Sequence, residues 1–139
     1  MDPMRFDTKI AIAVRHDLET WQKLNVVAFL ASGIAGGVES VLGKPYEDAS
    51  ANRYLEMFRQ PVLVYSGDAD ALTQMHQKVL ARELPTALYT EELFGTGHDD
   101  DNRAAVRAVP ADELNLVGLA VYGPRNAIDK VCKGLKLHP

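Results

Sequence analysis

The sequence contains few of the features that would assign it at once to a class of protein. Its 139 residues include one cysteine, Cys132, so no internal disulfide can form, and burial as a small apolar side chain is the simpler interpretation. The longest mostly apolar run, residues 26–38, is too short and too rich in glycine to span a bilayer. The first residues, MDPMRFDTK, lack the apolar core of a secretory signal. We therefore expect a cytoplasmic protein without a membrane segment.

The sequence also lacks a concentration of basic residues. The formal net charge is −4, and Lys and Arg do not gather into a dense stripe that would hold nucleic-acid phosphates. We therefore expect no nucleic-acid partner, while an unknown small molecule or an anion in a local pocket stays open. With 47% hydrophobic and 24% charged residues, the composition is that of a soluble globular protein, and the length predicts one domain, residues 1–139.

Motifs for metals and nucleotides are missing as well. The run SGIAGG at residues 32–37 has neither the G-x-G-x-x-G spacing of a dinucleotide-binding turn nor the Lys-Ser/Thr pair of a phosphate-binding loop. These glycines indicate close helix packing or a kink. The three aspartates at residues 99–101 have neither calcium-loop nor zinc-site spacing. We predict no metal site and no cofactor.

Strand-like and helix-like segments alternate along the chain. Short apolar, β-branched runs predict strands at residues 9–14, 61–66, 86–90 and 114–122. Helical spacing predicts helices at residues 21–42, between residues 66–70 and Pro85, at residues 102–109 and at residues 124–134. Thr20 is expected to cap the first helix, and residues 46–60 to form an irregular crossover with a turn near residues 48–52. Such alternation predicts an α/β fold, a three-layer α/β/α sandwich.

The first predicted helix has more apolar side chains than one buried face requires. Val26, Phe29 and Leu30 lie off its predicted apolar face, so a second side of the helix is expected to be covered by the following loop or by a second subunit. A homodimer is therefore one hypothesis. The predicted apolar face consists of Leu24, Val27, Ala28, Ala31, Ile34, Val38, Val41 and Leu42.

The most polar segment is GTGHDDDNR at residues 95–103. His98 is a candidate general acid or base because the ordinary pKa of histidine lies near neutral pH, and Asp99 would orient its ring. The alternative is a solvated loop in which His98 is itself a solvated or capping residue, one of the aspartates caps the next helix, and Arg103 pairs with its acidic neighbours.

Three segments carry a resemblance to a known family: IAVRHDL followed by a Lys-bearing helix, PVLVYSGDADALTQMHQKVLARELPTALYTEE, and LVGLAVYGPRNAIDKVCKGLKL. Over about residues 8–137 the chain resembles the type-II peptidyl-tRNA hydrolases. Through WQKLN and the Gly-His-Asp loop it resembles more closely a bacterial family of uncharacterised proteins allied to that fold. The resemblance implies a peptidyl-tRNA hydrolase II-like fold, with a mixed four-stranded sheet flanked by helices.

The functional positions of those hydrolases carry over only in part. At the positions of their helix Gln and His this chain has the apolar run at residues 26–31. Glu91 or Glu92 falls nearest to their Asp after the third strand, which the resemblance associates with ester hydrolysis. Peptidyl-tRNA hydrolysis is therefore less favoured than the two functions considered below, a small-molecule-binding or hydrolytic enzyme and a non-catalytic assembly module. The positions that match their Arg-x-Asp-Leu and helix lysine are Arg15, Asp17, Leu18 and Lys23.

The polar segments are expected to meet at one edge of the sheet. In open α/β folds ligands bind outside the carboxyl ends of parallel strands, and residues 15–21 and 91–103 both emerge there. We therefore favour a small-molecule-binding or hydrolytic enzyme with a pocket at this edge, and a non-catalytic assembly module is the second hypothesis. The catalytic candidates are His98, Asp99 and Glu92. The ligand-binding candidates are Arg15, Asp17, Trp21, Lys23, Asn25, Asn102 and Arg103.

Several of these candidates have a plain structural alternative. Lys23 and Arg15 would hold a phosphate or carboxylate near the start of the first helix, where backbone N–H groups already favour an anion. A solvated Lys23 and an Arg15–Asp17 pair are the alternatives. Trp21 would stack on a ligand or cover an edge of the core.

Overall fold

The elements of the fold follow one another as alternating strands and helices. The structure is a computed structural model, and it describes residues 6–139. Short 3₁₀ helices at Glu91–Gly95 and Ala111–Glu113 join some of the elements. The elements are β1 (Thr8–Arg15), α1 (Thr20–Gly37), β2 (Tyr46–Glu47), β3 (Arg53–Tyr54), β4 (Val62–Gly67), α2 (Ala69–Ala81), β5 (Thr86–Thr90), α3 (Asp99–Arg107), β6 (Leu116–Pro124), α4 (Arg125–Val131) and β7 (Lys136–Leu137).

A five-stranded mixed sheet forms the centre, with the order β5-β6-β1-β4-β7. β1 pairs in parallel with β4 and antiparallel with β6, and β5 pairs antiparallel with β6. β1, β4 and β5 therefore run in one direction, and their carboxyl ends lie at one edge of the sheet. The sheet is mixed as expected, but the expected count of four strands is wrong. The fifth strand is β7, which pairs with β4 through only two residues.

Helices cover both faces of this sheet. The side chains of β1 alternate between the two faces, and because all of its central residues are apolar, each face needs a helical layer to bury it. Ile10, Ile12 and Val14 face α1, and Ala11 and Ala13 face α2 and α4. All five are fully buried. The sheet consequently separates two apolar cores, and the described residues form a mixed α/β fold with four α-helices.

The buried face of α1 overlaps the predicted one only in part. Ile34 is buried as predicted, but Val26 and Leu30 are buried as well, whereas Leu24 is 67% exposed. Both stripes of this helix are apolar, so periodicity does not decide which one meets the sheet. Gly118 of β6 decides it: a Cβ at this position would lie 2.5 Å from Val26 Cγ1 and 2.8 Å from Leu30 Cδ1. The missing side chain of Gly118 makes room for these two residues.

The ends of α1 also differ from the prediction. Glu19 is the N-cap in place of Thr20, and its backbone N–H donates to Gln22 Oε1 at 3.0 Å as part of a capping box. The helix ends at Gly37 and does not continue to residue 42. Of the glycines in SGIAGG, Gly33 makes the expected close approach, since an added Cβ would lie 2.8 Å from Ala87 Cβ.

Other predicted boundaries shift by a few residues. α3 begins at Asp99 and not at residue 102, because His98 supplies the cap. β4 begins at Val62, after Pro61, and β6 begins at Leu116. α4 covers Arg125–Val131, which is shorter than the predicted residues 124–134. Within residues 6–139 no helix combines the length and apolar character needed to cross a membrane.

The crossover expected to be irregular contains a small β-hairpin, β2–β3. Its turn is held by Asp48, whose carboxylate accepts hydrogen bonds from Ser50 N (2.9 Å), Asn52 N (3.0 Å) and the Tyr54 hydroxyl (2.6 Å). The hydrogen bond from Tyr54, followed by those from Asn52, lowers the pKa of Asp48 to about 2. The hairpin carries exposed apolar side chains, including Leu55.

Candidate functional site

A pocket of about 390 Å³ opens at the sheet edge where β1 and β5 end. The first turns of α1 form one wall, and the end of β5 with the segment at residues 91–99 forms the other. Its apolar lining consists of Trp21, Phe29, Tyr89, Leu93 and Phe94, and its polar lining of Asn25, Thr96, His98, Asp99 and Asn102.

Four aromatic rings form a continuous chain along the pocket. Trp21 meets Phe94 edge-on, with ring centroids 6.0 Å apart and an angle of 68° between the planes. Phe94 meets Tyr89 at 5.2 Å and 51°, and Tyr89 meets Phe29 at 5.8 Å and 57°. Tyr89 is buried, and this burial raises the pKa of its hydroxyl. Trp21 and Phe29, by contrast, are 57% and 56% exposed, so the pocket opens between exposed aromatic walls.

The polar side of the pocket is organised around the start of α3. His98 Nδ1 accepts a hydrogen bond from the backbone N–H of Asp100 at 3.2 Å, so this lone pair caps the helix. Asp99 does not orient the His98 ring as predicted, because its carboxylate lies 2.7 Å from Arg103 Nη1. Asp100 also pairs with Arg103, at 2.6 Å. The predicted helix cap is therefore present, but it comes from the imidazole and not from an aspartate.

Thr96 and Asn102 connect the loop to α3. The Thr96 hydroxyl hydrogen-bonds the Asn102 side chain and lies 3.1 Å from the Leu93 carbonyl oxygen. These contacts hold both residues in the pocket wall. Asn25 lies opposite, on the exposed side of α1.

Arg15 forms a polar cluster beside the pocket. Its Nε lies 2.6 Å from Asp17 Oδ1, and its Nη1 lies 3.4 Å from both Glu91 Oε2 and Asn115 Oδ1. Asn115 in turn donates to Glu91 Oε2 at 2.8 Å. Burial disfavours the charge of Arg15, but the hydrogen bonds and charges of Asp17 and Glu91 raise its pKa above the ordinary value. The hydrogen bond from Arg15 likewise lowers the pKa of Asp17.

The structure brings together only part of the predicted site. Lys23 Nζ lies 3.3 Å from His138 Nε2 and does not line the pocket, and Glu92 is exposed outside it. Arg103 is held in its ion pairs, and Arg15 and Asp17 belong to the neighbouring cluster. The predicted residues that line the pocket are Trp21, Asn25, His98, Asp99 and Asn102.

The sequence interpretation missed the aromatic wall. From the sequence, Phe29 is recognisable only as an apolar residue off the predicted apolar face of its helix. Tyr89 and Phe94 lie in separate elements, and the signal that could have found them is their position on either side of the carboxyl end of a strand. Glu91 and Asn115, which hold Arg15, carry no local pattern because they are far from it in the chain.

The part of the chain that the structure describes offers neither a cluster of metal ligands nor a reactive cysteine. No three His, Cys, Asp or Glu side chains gather there into a group that could hold a metal ion. Cys132 is buried in the core between the sheet and α2 and α4, away from the pocket. Burial raises its pKa to about 11, so the thiol is a poor nucleophile.

These features define a mixed α/β protein with an aromatic-walled pocket at the carboxyl edge of its sheet. The chain belongs to the DUF2000 family, described as "Protein of unknown function (DUF2000)", which matches it over residues 8–139. Among solved structures it is similar to Atu0240, a protein of unknown function from Agrobacterium tumefaciens strain C58. The two share 45% sequence identity and a TM-score of 0.94 over 97% of this chain and 100% of the other. No curated protein matches the chain.

Proposed function

We propose that this protein binds a small organic molecule in the pocket between α1 and residues 89–102. The observation that carries the proposal is the aromatic chain itself, because Trp21 and Phe29 stay exposed beside a concave surface instead of packing into the core. Small-molecule sites usually combine apolar walls with a few polar groups in a cleft of roughly 300–1,000 Å³. The amides of Asn25 and Asn102 supply such polar groups here.

The geometry favours binding over hydrolysis. The Nδ1 lone pair of His98 accepts the Asp100 N–H, so this nitrogen is not free to take a proton from a bound molecule. A general base needs a free lone pair within reach of the proton that it removes. Hydrolysis with Nδ1 of His98 as the general base would require His98 to release its helix cap, and the Asp99 carboxylate is engaged with Arg103.

The proposal is tested by the fluorescence of Trp21, which is the one tryptophan of the chain and lines the pocket. A fragment library is titrated against the protein, and we expect hits that change this fluorescence and raise the melting temperature together. Asn25→Ala should weaken the hits about fivefold to thirtyfold, because losing a hydrogen bond to a ligand costs roughly 1 to 2 kcal/mol.

Asn126→Ala is the matched control, since Asn126 is also an exposed helical asparagine but lies on α4. It should leave every hit unchanged. Hits that bind equally well to the wild type, to Asn25→Ala and to Phe29→Ala would contradict the proposal, as would a library without any hit.

The proposal also includes the type of fold and the cellular compartment of the protein. We assign the sheet to the peptidyl-tRNA hydrolase II-like kind on the strand-Gly-Pro-helix segment, and we place the protein in the cytoplasm. Peptidyl-tRNA hydrolysis itself has little support. Val26 and Leu30 are buried against the sheet where that activity would need polar side chains, and Arg15 is neutralised by Asp17 and Glu91.

A second candidate function is assembly into a homodimer, and one observation favours it. The β2–β3 hairpin and the residues that follow it expose Tyr46, Tyr54, Leu55 and Met57, each at 52% or more. A two-stranded hairpin is marginally stable by itself, and large exposed apolar patches commonly mark contact surfaces. The occupant we propose for this surface is a second copy of the chain.

A further inference from the structure

The charges around the pocket narrow the chemistry of its ligand, an inference that rests on the proposed function. Among the described residues that line the pocket, Asp99 is the one with a carboxylate side chain, and neither Lys nor Arg is present. Arg103 contacts both Asp99 and Asp100, so this group of three charges stays net negative. Glu19 adds a further carboxylate, which accepts the indole N–H of Trp21 at 2.7 Å.

The basic groups of the neighbouring elements do not line the pocket. Arg15 is paired with Asp17 and Glu91, and Lys23 Nζ lies 3.3 Å from His138 Nε2. The positive end of the α3 dipole is covered by the three aspartates of its first turn and by the cap from His98. An anionic ligand would therefore meet the Asp99 carboxylate and no Lys or Arg among the described residues that line the pocket.

The orientation of the rings points the same way. The planes of neighbouring rings are inclined by 68°, 51° and 57°, so no two neighbouring rings form the near-parallel pair that would sandwich a flat ring system. Inclined rings suit a rounded group that touches several of them at once. An ammonium group carrying alkyl substituents has this shape and is attracted to aromatic faces by their quadrupole.

We propose that the pocket binds a cationic organic molecule through an alkylated ammonium group, which contacts the aromatic rings and lies close to the carboxylate of Asp99. The class of ligand is thus an amine or quaternary ammonium compound with a small polar end. Asn25 and Asn102 are placed to hydrogen-bond that end.

Three probes of similar size and different charge test this inference through the fluorescence of Trp21. They are choline, its uncharged carbon isostere 3,3-dimethylbutan-1-ol, and the carboxylate anion 3,3-dimethylbutanoate. We expect choline to bind about tenfold more tightly than the alcohol, since a desolvated cation–π site contributes roughly 1 to 2 kcal/mol. The anion should bind most weakly, and added salt should weaken choline but not the alcohol.

Two variants separate the charge effect from simple packing. Phe94→Leu keeps an apolar side chain but removes a ring, and Asp99→Asn removes the carboxylate; both should lower the preference for choline severalfold and leave the alcohol unchanged. Asp101→Asn makes the same charge change on a residue that does not line the pocket, and Tyr46→Leu removes an exposed ring elsewhere. These two controls should retain the preference.

The outcomes distinguish the inference from the proposed function. If the alcohol or the anion binds as tightly as choline, or if fragment hits bind while choline does not, the cationic ligand is wrong and the pocket proposal stands. If neither the fragments nor the probes bind, the proposed function and this inference are both wrong.

Discussion

At the scale of single residues, two glycines in this fold have opposite roles. Gly118 lies where α1 crosses β6, and an added Cβ there would also come within 3.3 Å of the Ala13 carbonyl oxygen. Gly36 lies inside α1 with open space around its missing Cβ. The first glycine is required by packing, and the second is only a weak helix former.

Substitution by alanine should therefore change stability in opposite directions. Gly118→Ala forces Val26 and Leu30 away from the sheet, and overpacking of this kind costs about 1 to 3 kcal/mol of the free energy of unfolding. Gly36→Ala should raise the free energy of unfolding by roughly 0.5 to 1 kcal/mol, because glycine is unfavourable in a helix interior. Urea denaturation measures both, and equal effects of the two variants would contradict this account.

Residue-level prediction from the sequence succeeded where a signal is local. The cap at the start of α3 was expected because polar side chains cluster there, although the capping atom is His98 Nδ1 and not an aspartate oxygen. The buried stripe of α1 was not predictable, since it depends on Gly118, which is far away in the chain. Within α3, Arg103 pairs with Asp99 and Asp100, as expected for a polar segment whose charged residues are neighbours in the sequence.

At the scale of elements, the β2–β3 hairpin depends on one carboxylate. Asp48 holds the turn, and its pKa of about 2 lies below the ordinary 3.8. A group with a depressed pKa contributes stability that is present above its unfolded pKa and is lost as the pH falls through the folded pKa. Ordinary aspartates take up protons at about pH 3 to 4, close to their pKa in model peptides. The carboxylate of Asp48 stays ionised there, so the turn is expected to persist at this pH.

Two-dimensional NMR across an acid titration checks this expectation. The amide signals of Ser50 and Asn52 should shift with a midpoint of about 2. Asp48→Asn should remove that transition, and it should also let the pKa of Tyr54, which the hydrogen bond to Asp48 raises, return toward its ordinary value. A midpoint near 3.8 would contradict the role given to the turn.

Elements of ordinary length were predictable, but the shortest ones were not. Strands β1, β4, β5 and β6 correspond to apolar runs in the sequence, and helices α2 and α4 to helical spacing. β2, β3 and β7 have two residues each, too few for an alternating pattern to be recognised. β7 forms only because the chain after α4 returns alongside β4.

At the scale of the whole molecule, the exposed hairpin predicts self-association. Size exclusion with light scattering should show a mass that approaches twice that of one chain as the concentration rises. Leu55→Lys with Met57→Lys should return the protein to a monomer, because charge on an apolar contact is costly. Leu80→Lys, on an exposed apolar residue of α2, is the control and should not change the mass. A monomer at every concentration would remove the assembly candidate.

The pocket shows why a site is harder to predict than the elements that form it. The meeting of residues 15–21 and 91–103 at one sheet edge followed from strand direction alone. The wall itself needs Phe29, Tyr89 and Phe94, which come together because β6 spaces β5 from β1 under α1. That spacing is a property of the strand order, which no local stretch of sequence contains.

The strand order also fixes when the pocket can exist during synthesis of the chain. β5 pairs with no strand except β6 in the described sheet, and β6 follows it in the sequence. While translation proceeds, residues 86–90 leave the ribosome before their pairing partner has been made, so Tyr89 has no fixed position against α1 until Leu116–Pro124 inserts between β1 and β5. The pocket is therefore among the last parts of the molecule to mature, and a nascent chain that ends before β6 lacks the complete pocket.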